Sequence, residues 1–166
     1  MSWLPAHRAP KDEGRMSMNA MAEVLKRENV QIIDACQDWE DAVHVAVQPL
    51  VDQGYVTAGY IDGIISNAEE YGPYFVIAPE LALLHARPEQ GVIRRQLAVS
   101  VVRAGIVFKE GAQPVHLLVT LAATDPDGHI EAMRTLATMF SDPASIRAII
   151  DAKTPDEIYE LFTRDI

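Results

Sequence analysis

A chain of 166 residues, 49% hydrophobic and 23% charged, is long enough for one domain with a real core and short for two. Its formal net charge of -10 argues against a nucleic-acid binder, which needs a basic face to displace counterions from phosphates. A single cysteine, Cys36, excludes an intrachain disulfide framework and fits a reducing compartment.

The first 19 residues hold two prolines, several charges and no hydrophobic period, and are expected to form a flexible leader. They lack the apolar core of a signal peptide, and no apolar run approaches the roughly 20 residues of a membrane span, so a cytoplasmic protein is expected. Residues 20–166 are read as one domain. A short helix is expected over 21–27 and a short strand over 30–34.

The first strong helix starts after Asp38, a suitable N-cap, and Gly54 is a natural stop. Its Trp39, Ala42, Val43, Ala46, Val47, Leu50 and Val51 share one helical face, which leaves His44 on the polar side. Thr57 opens a second helix that turns Tyr60, Ile61, Ile64, Ile65 and Ala68 inward.

From Gly72 the texture becomes strand-like. Residues 74–78 read as a short buried strand ended by Pro79, and 81–85 as either a second strand or an extended continuation. Residues 96–104 and 115–124 are apolar and β-branched, and the stretch between them supplies a turn and an edge strand.

Helix then returns. Asp125-Pro126 and Asp142-Pro143 are start signals, with Ile130, Met133, Leu136, Ala137 and Phe140 on the inner face of the first of these helices. Thr154-x-x-Glu157 around Pro155 is a capping box. Helices on both sides of apolar strands predict an α/β fold, a three-layer αβα sandwich with a mixed central sheet.

Candidate chemistry gathers on histidines. His85 ends an apolar run, so its ring can be held while one nitrogen faces solvent. Arg87 offers a cation for phosphate oxygens, and Glu89 a group to orient the ring or balance Arg87. A neutral imidazole is a usable nucleophile for phosphoryl transfer, although the pattern alone fits a structural histidine equally well. His129 falls in the first turn of a helix, where N–H groups and the dipole favour an anion, though a plain surface residue is the ordinary reading. His116 opens a strand and is expected to be a satisfied core or sheet-edge histidine. A zinc site from His85, His116 and His129 lacks any short ligand spacing.

The order "GYVTAGYIDGIISNAEEYGPYFVIAPELALLHARPEQGV", a β segment, "PVHLLVTLAATDPDGHIEAM" and a closing "TPDEIYELF" resembles a known family. It is similar to the cytoplasmic IIA component of the bacterial phosphoenolpyruvate-dependent sugar phosphotransferase system, with the mannitol/fructose-type fold and an ascorbate-like branch. The resemblance spans residues 38–162. It implies a phosphoryl carrier that takes phosphate from HPr onto His85, supported by His129 with Arg87 assisting. The phosphate then goes to a IIB component and serves a membrane IIC component indirectly, with no metal or organic cofactor. Ascorbate or another sugar acid is the expected substrate of the system. The alternative is a regulatory binding module whose partner affinity is switched by phosphorylation of His85. Homo-oligomerisation is left open. The chain departs from the family frame at Leu84 and Ala86, where Pro and Gly are usual, and at Glu80, where a small residue is common.

Overall fold

The computed structural model describes residues 24–163, so the expected leader lies outside the described residues. Five strands form one mixed sheet in the order β1 (Leu25–Ile33), β4 (Gln96–Ile106), β5 (Val115–Ala122), β3 (Leu81–Leu84), β2 (Val76–Ala78). β1 runs parallel to β4 and β3 parallel to β5, while β4/β5 and β2/β3 are antiparallel.

Both faces of this sheet are apolar, as burial on two sides requires. In β3, β4 and β5 one parity (Leu83, Val99, Val119) meets helices α3 (Pro126–Met139), α4 (Pro143–Ile150) and α5 (Pro155–Thr163). The other parity (Leu84, Ala98, Leu118) meets α1 (Trp39–Asp52) and α2 (Ala58–Tyr71). The result is the three-layer αβα sandwich with a mixed sheet. All four residues of β3 are buried, so the strand that leads into His85 is gripped from both faces.

The caps follow the sequence closely. The Asp38 side chain accepts from the Asp41 N–H at 2.8 Å, Asp125 from Gly128 at 2.6 Å, and Asp142 from Ala144 at 3.0 Å. Thr57 caps α2 without a side-chain bond; its own N–H donates to the Gly91 carbonyl at 2.8 Å. Only half of the expected capping box forms: Thr154 accepts from the Glu157 N–H, but the Glu157 carboxylate reaches the Lys153 N–H.

Several local expectations fail for tertiary reasons. Residues 25–27 belong to β1, not to a helix, because pairing with β4 extends the strand across an irregularity between Leu25 and Val30. β2 is a three-residue edge strand with Ile77 exposed, not a buried one. No strand forms between β4 and β5. On α3, Leu136 and Phe140 are buried as expected, but Ile130 and Ala137 face outward, and Ala132 and Thr135 are buried instead.

Candidate functional site

β3 and β5 are parallel neighbours whose ladder ends at Leu84 opposite Thr120. Beyond that point one chain continues into His85, and the other turns through Asp125 into α3 and His129. The two segments part at the carboxyl ends of parallel strands, a position where α/β sheets form crevices. A cavity of about 590 Å³ opens there, lined by Asn67, Tyr74, His85, Arg87, His129 and Ile130 among others.

The imidazole rings of His85 and His129 stand 5.1 Å apart between centroids, tilted by 51°. His85 Nδ1 lies 2.7 Å from the Leu83 carbonyl oxygen, which can only accept, so Nδ1 carries the proton and Nε2 keeps its lone pair. Tyr74 packs edge-on against the same ring, at 5.2 Å, and its hydroxyl donates to the His85 carbonyl. Burial pushes the His85 imidazole below the usual histidine range; the bond to Leu83 opposes this and His129 reinforces it. Burial lowers His129 as well. Both rings are therefore neutral near pH 7.

The helix N-terminus at His129 is less open to an anion than the sequence implies. The Gly128 N–H is taken by the Asp125 carboxylate, the His129 N–H by the Asp125 carbonyl at 3.0 Å, and Pro126 has no N–H. What α3 brings to the cavity is the His129 ring.

Arg87 and Glu89 line the cavity and pair with each other, Arg87 Nε to Glu89 Oε2 at 3.1 Å. Glu89 thus balances Arg87, and the role of orienting the ring falls to the Leu83 carbonyl. His116 is not brought to this place. At the start of β5 its Nδ1 meets Glu80 at 2.5 Å, and Glu80 also faces Arg147 at 3.4 Å.

The loop after His85 is fastened to α2. The Gln90 side-chain carbonyl accepts from the Arg87 N–H at 2.8 Å and from Asn67 at 3.0 Å, while Gln90 Nε2 donates back to Asn67 at 3.3 Å. Gly91, at φ 148°, lies so close to α2 that an added Cβ would stand 2.5 Å from Thr57 Oγ1. The sequence reading singled out neither Asn67 nor Gln90, because polar residues 23 apart in the chain carry no local signal of meeting.

The departures from the family frame find a place here. Ala86 is buried and Glu80 is the one non-glycine with positive φ among the described residues, so position 86 makes no demand for a glycine backbone. Glu80, at φ 71°, does sit where glycine would be at ease. Leu84 is fully buried between the layers.

A buried apolar strand delivers His85 to a crevice, beside His129 on the next helix. The profile of the family "Phosphoenolpyruvate-dependent sugar phosphotransferase system, EIIA 2" matches residues 23–165, and the chain belongs to that family of phosphoryl carriers. It is 38% identical to the phosphotransferase IIA component SgcA of Escherichia coli K12 over 80% of this chain and 93% of that one. An ascorbate-specific EIIA component of Shigella boydii is 30% identical, over 89% of this chain and 97% of its own. The solution structure of the mannitol-specific cryptic IIA component of E. coli superposes with a TM-score of 0.81 at 26% identity, covering 87% of this chain and 98% of that one. The E. coli mannitol IIA in complex with its phosphorylated IIB shares the fold at a TM-score of 0.70 and 22% identity, covering 84% and 98%. No helix among the described residues is long and apolar enough to cross a membrane.

Proposed function

We propose that this protein carries a phosphoryl group on Nε2 of His85, taken from the phosphorylated carrier protein HPr and passed to a IIB component. The observation that supports this most is the 2.7 Å contact between His85 Nδ1 and the Leu83 carbonyl, which fixes one tautomer and leaves Nε2 as the only nucleophilic nitrogen. The Nε2 lone pair forms the new N–P bond as the bond from phosphorus to the donor's nitrogen breaks, its electron pair leaving with the donor. The proton stays on Nδ1, still donated to the Leu83 carbonyl. His129, neutral and 5.1 Å away, is the hydrogen-bond donor for the phosphoryl oxygens, and Arg87 adds positive charge at the rim.

The cavity's rim suits protein partners. Tyr71, 67% exposed, and Ile130, 49% exposed, border it beside the Arg87–Glu89 ion pair. Exposed apolar anchors flanked by charge fit a protein donor or acceptor. Transfer to IIB is supported by family membership and by the complex that the E. coli mannitol protein forms. The likeness to ascorbate-specific components supports a sugar acid as the substrate of the whole system.

The direct test is incubation with enzyme I, HPr and phosphoenolpyruvate. One acid-labile phosphate per chain, absent in His85→Ala, is expected. Label that persists in His85→Ala, or no label on the wild type, rejects the assignment.

A further inference from the structure

Tyr60, on the first turn of α2, is 1% exposed, and its hydroxyl sits between the two segments that carry the histidines. It accepts from the Ala86 N–H at 3.0 Å and donates to the Leu121 carbonyl at 2.7 Å, with the Ala86 carbonyl farther off at 3.3 Å. Ala86 follows His85, and Leu121 is the last residue but one of β5, the strand that leads to Asp125 and α3. The ladder between β3 and β5 stops at Leu84 and Thr120, so these two groups lie just past its end. A phenol hydroxyl has one proton to give and lone pairs to accept with, and here it completes a relay from N–H through O–H to C=O across the gap.

From this we infer that Tyr60 is a positioning residue for phosphoryl transfer: its hydroxyl takes the place of the next ladder bond and sets the spacing between His85 and His129. The inference rests on the phosphohistidine reading above. Burial holds the phenol above its ordinary pKa, which keeps the proton the relay requires. The same helix fastens the loop after His85 at Thr57 and Asn67, so α2 is the frame against which the site is registered. Removing the oxygen alone keeps the ring and its packing, while the Ala86 N–H and the Leu121 carbonyl lose their partner. The parting strands then lose a side-chain group that spans them.

The experiment compares wild type, His85→Ala, Tyr60→Phe and Val47→Ala, the last a packing control in the same apolar layer. Tyr60→Phe is expected to lower the maximal rate of phosphate uptake from phospho-HPr about tenfold or more while KM for the donor stays within about twofold. Its His85 imidazole, followed by nitrogen NMR, is expected to titrate about half a unit higher as the ring becomes wetter. Val47→Ala is expected to lose stability without moving either readout. Unlabelled wild type rejects the carrier reading and leaves the titration to decide the role of Tyr60. Labelled wild type with an unchanged rate and titration in Tyr60→Phe overturns the inference and spares the carrier reading. If Tyr60→Phe does not fold, the wild type decides: a slowly exchanging Tyr60 hydroxyl proton with a cross-peak to the Ala86 amide supports the relay, and its absence overturns it.

Discussion

His85 Nδ1 lies 2.7 Å from the carbonyl oxygen of Leu83, two residues back along its own chain. The contact is local in sequence, but it exists only because β3 is buried on both faces and holds the Leu83 carbonyl in place. It makes the imidazole a fixed group with one protonated and one free nitrogen, and the pH behaviour of the site follows from it.

In the proposed transfer the nucleophile is neutral His85, whose pKa is pushed below the ordinary 6.5 chiefly by burial. The rate of phosphate uptake should therefore be flat around pH 7 and fall only on acidification below 6.5, as the ring takes a proton. Stability follows the same sign. Unfolding frees His85 and His129 to bind protons at their ordinary pKa, so stability is complete above it and declines as pH drops toward the lowered native values. Uptake rates and urea midpoints between pH 7.5 and 5 check this; a rate midpoint above 6.5 would contradict it.

His129→Ala should retain phosphorylation on His85 but slow it by roughly 10- to 100-fold. This is the loss of one hydrogen bond to a charged group, about 1.5–3 kcal/mol. Because burial keeps His129 neutral, Gln, a neutral donor, should recover part of the rate. Stopped-flow labelling measures both variants, and an alanine variant with the wild-type rate would remove His129 from the mechanism.

Tyr71→Glu places a charge in the middle of the apolar rim without touching the core, since Tyr71 is 67% exposed. We expect KM for phospho-HPr to rise about tenfold with little change in the maximal rate, as for the loss of one aromatic anchor. Steady-state kinetics at constant salt decide it. An unchanged KM would put the docking surface elsewhere.

Glu80 combines a positive φ of 71° with bonds to His116 and Arg147. Replacing it by Ala loses the bonds and keeps the backbone cost; Gly loses the bonds and removes that cost. Glu80→Gly should therefore be more stable than Glu80→Ala by about 1 kcal/mol. Denaturant titrations of both test the ranking, and equal stabilities would show that the backbone there carries no strain.

Most of the helices were legible in the sequence because their signals are local. Asp38, Asp125 and Asp142 cap what they were expected to cap, and the apolar stripe of α1 is the stripe that is buried. The errors cluster where a partner overrides local preference. Residues 25–27 become strand because β4 offers a parallel edge, and Ile130 turns outward because the first turns of α3 border the cavity.

For the site, the sequence by itself placed His85 at the end of a buried strand and His129 in the first turn of a helix, since segment ends are written in composition and capping. It left open what each ring does. Only the tertiary structure decided that His85 and His129 stand 5.1 Å apart and that His116 goes to Glu80 instead. It alone placed the Tyr60 hydroxyl between Ala86 and Leu121. These contacts join residues tens of positions apart. Their geometry is set by how two helices and a mixed sheet close on one another, which no stretch of the chain encodes alone.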